Sequence, residues 1–88
     1  MKIFVAPTFA RAAKKLYPPQ KGALDRAVQS ILDDPATGEA KLGDLAGVRV
    51  VKFRMEMQLW LLAYSVGDDA VTLLALGSHE NFYRDLKR

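Results

Sequence analysis

The stretch Val48 to Leu76, VRVVKFRMEMQLWLLAYSVGDDAVTLLAL, decides the fold. Val48 to Arg54 alternates with strand period. Its even positions are Val48, Val50, Lys52 and Arg54, and its odd positions are Arg49, Val51 and Phe53. Side chains two apart on a strand share a face, so Lys52 and Arg54 point the same way. Gln58 to Val66 is nearly continuous in apolar residues, which predicts a central strand covered on both faces. Gly67, Asp68 and Asp69 then predict a hairpin turn, and Val71 to Leu76 a last strand.

Upstream, Lys2 to Ala6 (KIFVA) is β-branched and aromatic and is ended by Pro7, which predicts a short first strand. Thr8 is placed to cap a helix in which Phe9, Ala12, Ala13 and Leu16 recur at helical spacing. Arg11, Lys14 and Lys15 surround its other side, and Pro18 and Pro19 are expected to stop it. A second helix is expected from about Gln20 to Leu32, striped by Leu24, Ala27, Val28, Ile31 and Leu32 and ended by Asp33, Asp34 and Pro35. Ala36 to Gly47 has three glycines and no periodicity, so it reads as a loop carrying Lys41. After the last strand, Ser78 is placed to cap a short C-terminal helix. The order is β-α-α-β-β-β, an α+β fold: a small antiparallel sheet packed against an N-terminal helical hairpin.

The chain has 88 residues, 50% hydrophobic, enough for one domain with one modest core. It has no cysteine, which excludes disulfides and cysteine zinc sites and fits a cytoplasmic protein. Its net charge of +3 is mildly basic and favours an acidic partner without choosing between nucleic acid and protein. Met1 to Ala6 is too short for the apolar core of a signal peptide, and no apolar run approaches the ~18 residues of a membrane span.

The tail GSHENFYRDLKR (Gly77 to Arg88) carries the only histidine, His79, followed by Glu80, Asn81, Phe82, Tyr83 and Arg84. Histidine is the side chain whose unperturbed pKa of about 6.5 lets it exchange protons near neutrality. With Lys52 and Arg54 on a strand face, it suggests a metal-free site that binds or cleaves phosphodiesters. Each residue has a plainer reading too. A lone histidine is often a surface or capping residue, a basic strand face is often merely solvated, and Phe82 or Tyr83 can serve only to pack a helix.

Three stretches carry a resemblance to the RelE/ParE superfamily of bacterial type II toxins. KLGDLAGVRVVKFR (Lys41 to Arg54) resembles the family's leucine-x-glycine segment and basic strand. LWLLAYSV (Leu59 to Val66) is similar to its central apolar strand ending in tyrosine. LLALGSHENFYRDLKR (Leu73 to Arg88) resembles the end of the YafQ-like branch, where an aromatic follows a histidine by four residues, here His79 and Tyr83. The resemblance implies a RelE-like fold and a cytoplasmic protein neutralised by a cognate antitoxin in a hetero-oligomeric complex. For the RelE and YafQ kind it implies cleavage of messenger RNA in the decoding site of the ribosome, with contacts to 16S and 23S ribosomal RNA and no cofactor.

Carried over, the resemblance puts phosphate contacts on Lys52 and Arg54, acid/base work on His79, and the neighbouring aromatic role on Tyr83. Such a ribonuclease uses the RNA 2′-hydroxyl as nucleophile. It needs a base, an acid and cations for the phosphorane. Glu56, two residues past Arg54, has the same strand parity and is the candidate for the second proton carrier. Arg49, Arg84, Gln58, Phe82 and Lys41 complete the candidate RNA-contacting set. One departure stands out: where many relatives place an arginine at the start of the strand after the basic one, this chain has Trp60 and Leu61, with Gln58 the nearest polar group. A ParE-like inhibitor of DNA gyrase and a catalytically degenerate binding module therefore remain open alternatives on the same fold.

Overall fold

The computed structural model describes residues 1–79. Among the described residues the expected elements are present, and several differ in instructive ways. Strand β1 (Lys2–Val5) leads into helix α1 (Pro7–Lys14) and then helix α2 (Pro18–Asp33). Strands β2 (Glu39–Ala40), β3 (Arg49–Met55), β4 (Gln58–Val66) and β5 (Ala70–Ser78) follow. They form one sheet in the order β1-β5-β4-β3-β2. Strands β2 to β5 are antiparallel to their neighbours, as expected, but β1 joins the edge of β5 in parallel, so the sheet is mixed.

Prolines account for the helix boundaries. Pro7 occupies the first turn of α1 with Ala6 as its cap, so Thr8 lies inside the helix rather than capping it. Pro18 and Pro19 open α2 instead of merely stopping α1. A first-turn proline gives up an N–H that has no helical partner anyway, and its fixed φ suits the helix. The Tyr17 N–H is satisfied by the Gln20 side-chain oxygen at 2.9 Å. Both helices cover one face of the sheet, α1 over β5 and α2 over β3.

That face holds the main core: Phe9, Leu16, Leu24, Ala27 and Ile31 from the helical layer meet Met55, Leu62, Tyr64, Val71, Leu73 and Leu76 from the strands. A smaller cluster of Val50, Leu61, Ala63 and Ala75 lies on the opposite face. Together they explain why the middle of β4 is apolar: Leu61, Leu62, Ala63 and Tyr64 are all fully buried, two to each side. Trp60 packs half-buried against the main core.

The segment expected to be a loop, 36–47, contains a short edge strand. Glu39 and Ala40 pair with Val50 and Arg49. It is tied down by a clamp on the helix side. The buried Tyr64 hydroxyl donates to the Pro35 carbonyl at 2.7 Å and accepts the Gly38 N–H at 2.9 Å. Position 38 has to be glycine because a Cβ there would lie 2.7 Å from that hydroxyl.

Candidate functional site

The face opposite the helices is built in cross-strand rows. Val50, Ala63 and Ala75 form one row, and Lys52, Leu61 and Gly77 the next. Arg54 stands beside Leu59, whose carbonyl accepts the His79 N–H at 3.1 Å and extends the third row to His79. Lys52, Arg54 and His79 are all exposed on this face. Arg54 and His79 are separated by two strand spacings, about 10 Å at the backbone. Leu59 stands between them, and the fully buried Leu61 and Ala63 follow on the same face in the next two rows.

A β-bulge brings His79 to this face. On β5, Leu73 pairs with Tyr64 and Ala75 with Ala63, so Leu74 is an extra residue without a partner in the register. One inserted residue reverses side-chain parity beyond it. Val71 and Leu73 point to the helices, whereas Ala75 points away from them and Leu76 points back. Without the bulge His79 would share the parity of Val71 and Leu73 and lie under the helical layer. Sequence reading missed this because VTLLAL is apolar at nearly every position, which leaves no alternation to be seen shifting.

Three expected site residues are placed differently. Glu56 does not continue the parity of Lys52 and Arg54, because β3 ends at Met55 and Glu56 turns the chain with φ of 51°. With Met57 at φ of 68° it makes a two-residue hairpin connection to Gln58. Arg49 lies on the helix side, where its guanidinium donates to the carbonyls of Gly38 at 2.7 Å and Ala36 at 3.3 Å. It braces the clamp made by Tyr64 and is thereby withdrawn from the basic face. Lys41 does fall on the outer face, opposite Val48, but about 20 Å along β3 from Arg54. Its ammonium is 3.6 Å from the Glu39 carboxylate.

Gln58 is exposed at the start of β4 and joins Met57, Leu59 and His79 around a recess of about 340 Å³. The residue in line between Arg54 and His79 is Leu59, which sequence reading had not singled out; only the pairing register identifies it. Tyr83, Phe82, Arg84 and the expected C-terminal helix lie outside the described residues. Among the described residues no three His, Asp or Glu side chains cluster closely enough to hold a metal ion. No helix among them is long and apolar enough to cross a membrane.

Several solved structures share the architecture. The intact RelBE toxin–antitoxin complex of E. coli matches with a TM-score of 0.71 at 19% identity, covering 88% of this chain and 94% of that one. A YoeB/ParE toxin from Agrobacterium tumefaciens matches at 0.73 and 15% identity, over 90% of this chain and 99% of the other. YafQ from E. coli matches at 0.64 and 15% identity, over 90% and 93%. At these identities the likeness is one of fold. No curated protein matches the sequence. The model of the ParE-like toxins of type II bacterial toxin–antitoxin systems matches residues 3–87. Two helices on one face of a five-stranded sheet with this strand order, together with a family match across nearly the whole chain, establish that it belongs to the ParE-like toxins, within the RelE/ParE superfamily.

Proposed function

We propose that this toxin is a ribosome-dependent messenger RNA endonuclease that uses the RNA 2′-hydroxyl as nucleophile. The observation that carries the reading is the co-facing of His79 with Arg54 and Lys52, which depends on the bulge at Leu74. In the proposed reaction the 2′-oxygen attacks the adjacent phosphorus, the bond to the 5′-oxygen breaks, and a 2′,3′-cyclic phosphate and a 5′-hydroxyl result. His79 exchanges the proton with one of these oxygens. Arg54 and Lys52 hold the phosphate oxygens as negative charge builds, Arg54 through its fork of N–H donors. A second proton carrier is assigned to Tyr83 or Glu56. Glu56 in its turn lies one residue beyond β3.

The partner in this reading is an antitoxin, as in the RelBE complex of similar fold. It covers the basic face at Lys52 and Arg54 with an acidic or apolar segment. Leu59 stands in line between Arg54 and His79, where a further cation would assist a nuclease, and this favours a second reading as a ParE-like gyrase inhibitor. One experiment separates them. Expression is induced without antitoxin while RNA 5′ ends are mapped and plasmid supercoiling is followed. The nuclease reading expects new 5′-hydroxyl ends and arrested translation. Continued translation with collapsing supercoiling would replace it with the gyrase reading.

A further inference from the structure

We propose that the Glu56–Met57 turn and the recess behind it form a slot for one unstacked nucleobase, with the Met57 thioether against the flat face of the base and His79 at its inner end. The inference rests on the RNA reading above and assigns it a base subsite.

The first observation is backbone strain without a local return. Glu56 and Met57 both have positive φ, 51° and 68°. A two-residue hairpin of this kind ordinarily takes Asn-Gly or another glycine pair, because a Cβ is disfavoured in the left-handed region. Here a methionine occupies the second position with 94% of its surface exposed, so it packs on almost nothing in the free protein. Backbone strain of this kind clusters at active sites, ligand clamps and switch regions.

The second observation is the shape and lining of the recess. Its about 340 Å³ is bounded by Met57, Leu59, Gln58 and His79. Two apolar walls, an amide and an imidazole match an unpaired base, which has two apolar faces and a polar rim. Methionine sulfur makes favourable contacts with aromatic rings, and stacking of bases on side chains is tolerant of sequence. The Gln58 amide offers both a donor and an acceptor to the edge of the base.

The third observation selects a nucleotide over an apolar peptide side chain. The recess opens at the end of the row that carries Arg54, with Lys52 one row behind. A nucleotide with its phosphate on these cations and its base in the slot is held at both ends. An apolar side chain would leave the cations unused.

The test uses the full chain, labelled with nitrogen-15 at its backbone amides and with carbon-13 at its methionine methyl groups, and followed by NMR. Two probes are titrated to millimolar concentration: a dinucleotide whose attacking 2′-hydroxyl is methylated, and the same backbone lacking both bases. The expected result is a ring-current shift of the Met57 methyl with the first probe and none with the second, while Lys52 and Arg54 respond to both. Met57→Gly, which suits the backbone, should keep or raise the urea midpoint and erase the difference in affinity between the two probes. Shifts at Lys52 and Arg54 with a stationary Met57 methyl would overturn the base slot and leave the phosphate row standing. No response to either probe at any residue would overturn the slot, whereas the ribosome-dependent reading stands or falls on the 5′-end mapping described above. A Met57→Gly protein that still discriminates fully between the probes would also overturn the slot.

Discussion

Tyr64→Phe removes one oxygen from the fully buried centre of the helix-side core. That oxygen makes two bonds, to Pro35 and to the buried Gly38, and they fix the segment that carries β2 to the central strand. A hydrogen bond contributes about 0.5–1.5 kcal/mol net, so two contribute about 1–3 kcal/mol. The Gly38 N–H would be left buried and unpaired, which places the expected loss in the upper part of that range, about 2–3 kcal/mol. For a domain of this size such a loss lowers the Tm by on the order of 10–15 °C. Total stability at roughly 0.05–0.15 kcal/mol per residue leaves the variant folded at room temperature. Urea titration followed by far-UV circular dichroism measures the change, with the slope m expected to stay the same. Faster hydrogen exchange at the Gly38 amide should accompany it. Because Tyr64 points away from Lys52, Arg54 and His79, toxicity at low temperature should persist. A loss under about 0.5 kcal/mol would refute the clamp as the device that anchors this segment.

Other consequences are equally specific. Gly38→Ala puts a Cβ 2.7 Å from the Tyr64 hydroxyl and should cost about 1–3 kcal/mol in the same urea assay; the double variant with Tyr64→Phe should lose less than the sum of the two single variants, since the phenylalanine vacates the contested space. Reversing charge at Lys52 and Arg54 should weaken antitoxin binding measured by calorimetry as well as toxicity; unchanged affinity would place the antitoxin elsewhere. Arg54→Ala should reduce the dependence of RNA binding on salt, flattening the plot of log affinity against log salt by roughly one unit. Deleting Leu74 should restore plain alternation in β5 and turn His79 toward the helices. A folded deletion protein that stays fully toxic would remove the bulge from the account.

Most of the fold was legible because its signals are local. The alternation of Val48 to Arg54, the apolar run of β4 and the Gly67–Asp69 turn each act within a few residues, and all three appear where expected. The helical stripes were legible for the same reason. Three features depend on contacts between distant residues and left no local mark. Glu39 and Ala40 become a strand only because β3 offers an edge and Tyr64 holds the preceding turn. The parallel docking of β1 on β5 is a topological fact that strand composition does not encode. The parity of His79 turns on Leu74, an apolar residue among apolar residues. Reading the site suffered accordingly. Lys52 and Arg54 shared a face as their spacing required, and His79 joined them through a bulge that could not be seen. Arg49 sat one residue off their parity and was claimed by loop carbonyls instead. Glu56 was read as strand because nothing in Glu-Met announces a turn whose usual residues are asparagine and glycine.

The central claim is that His79 moves a proton in RNA cleavage while Arg54 and Lys52 hold the phosphate. The most direct measurement is single-turnover cleavage of messenger RNA on the ribosome by His79→Ala, with ribosome affinity measured in parallel. A lost acid/base group lowers the rate by about 10²–10⁴-fold, and because the contact belongs to the transition state, affinity should hardly change. A folded His79→Ala protein that cleaves at the wild-type rate would contradict the assignment.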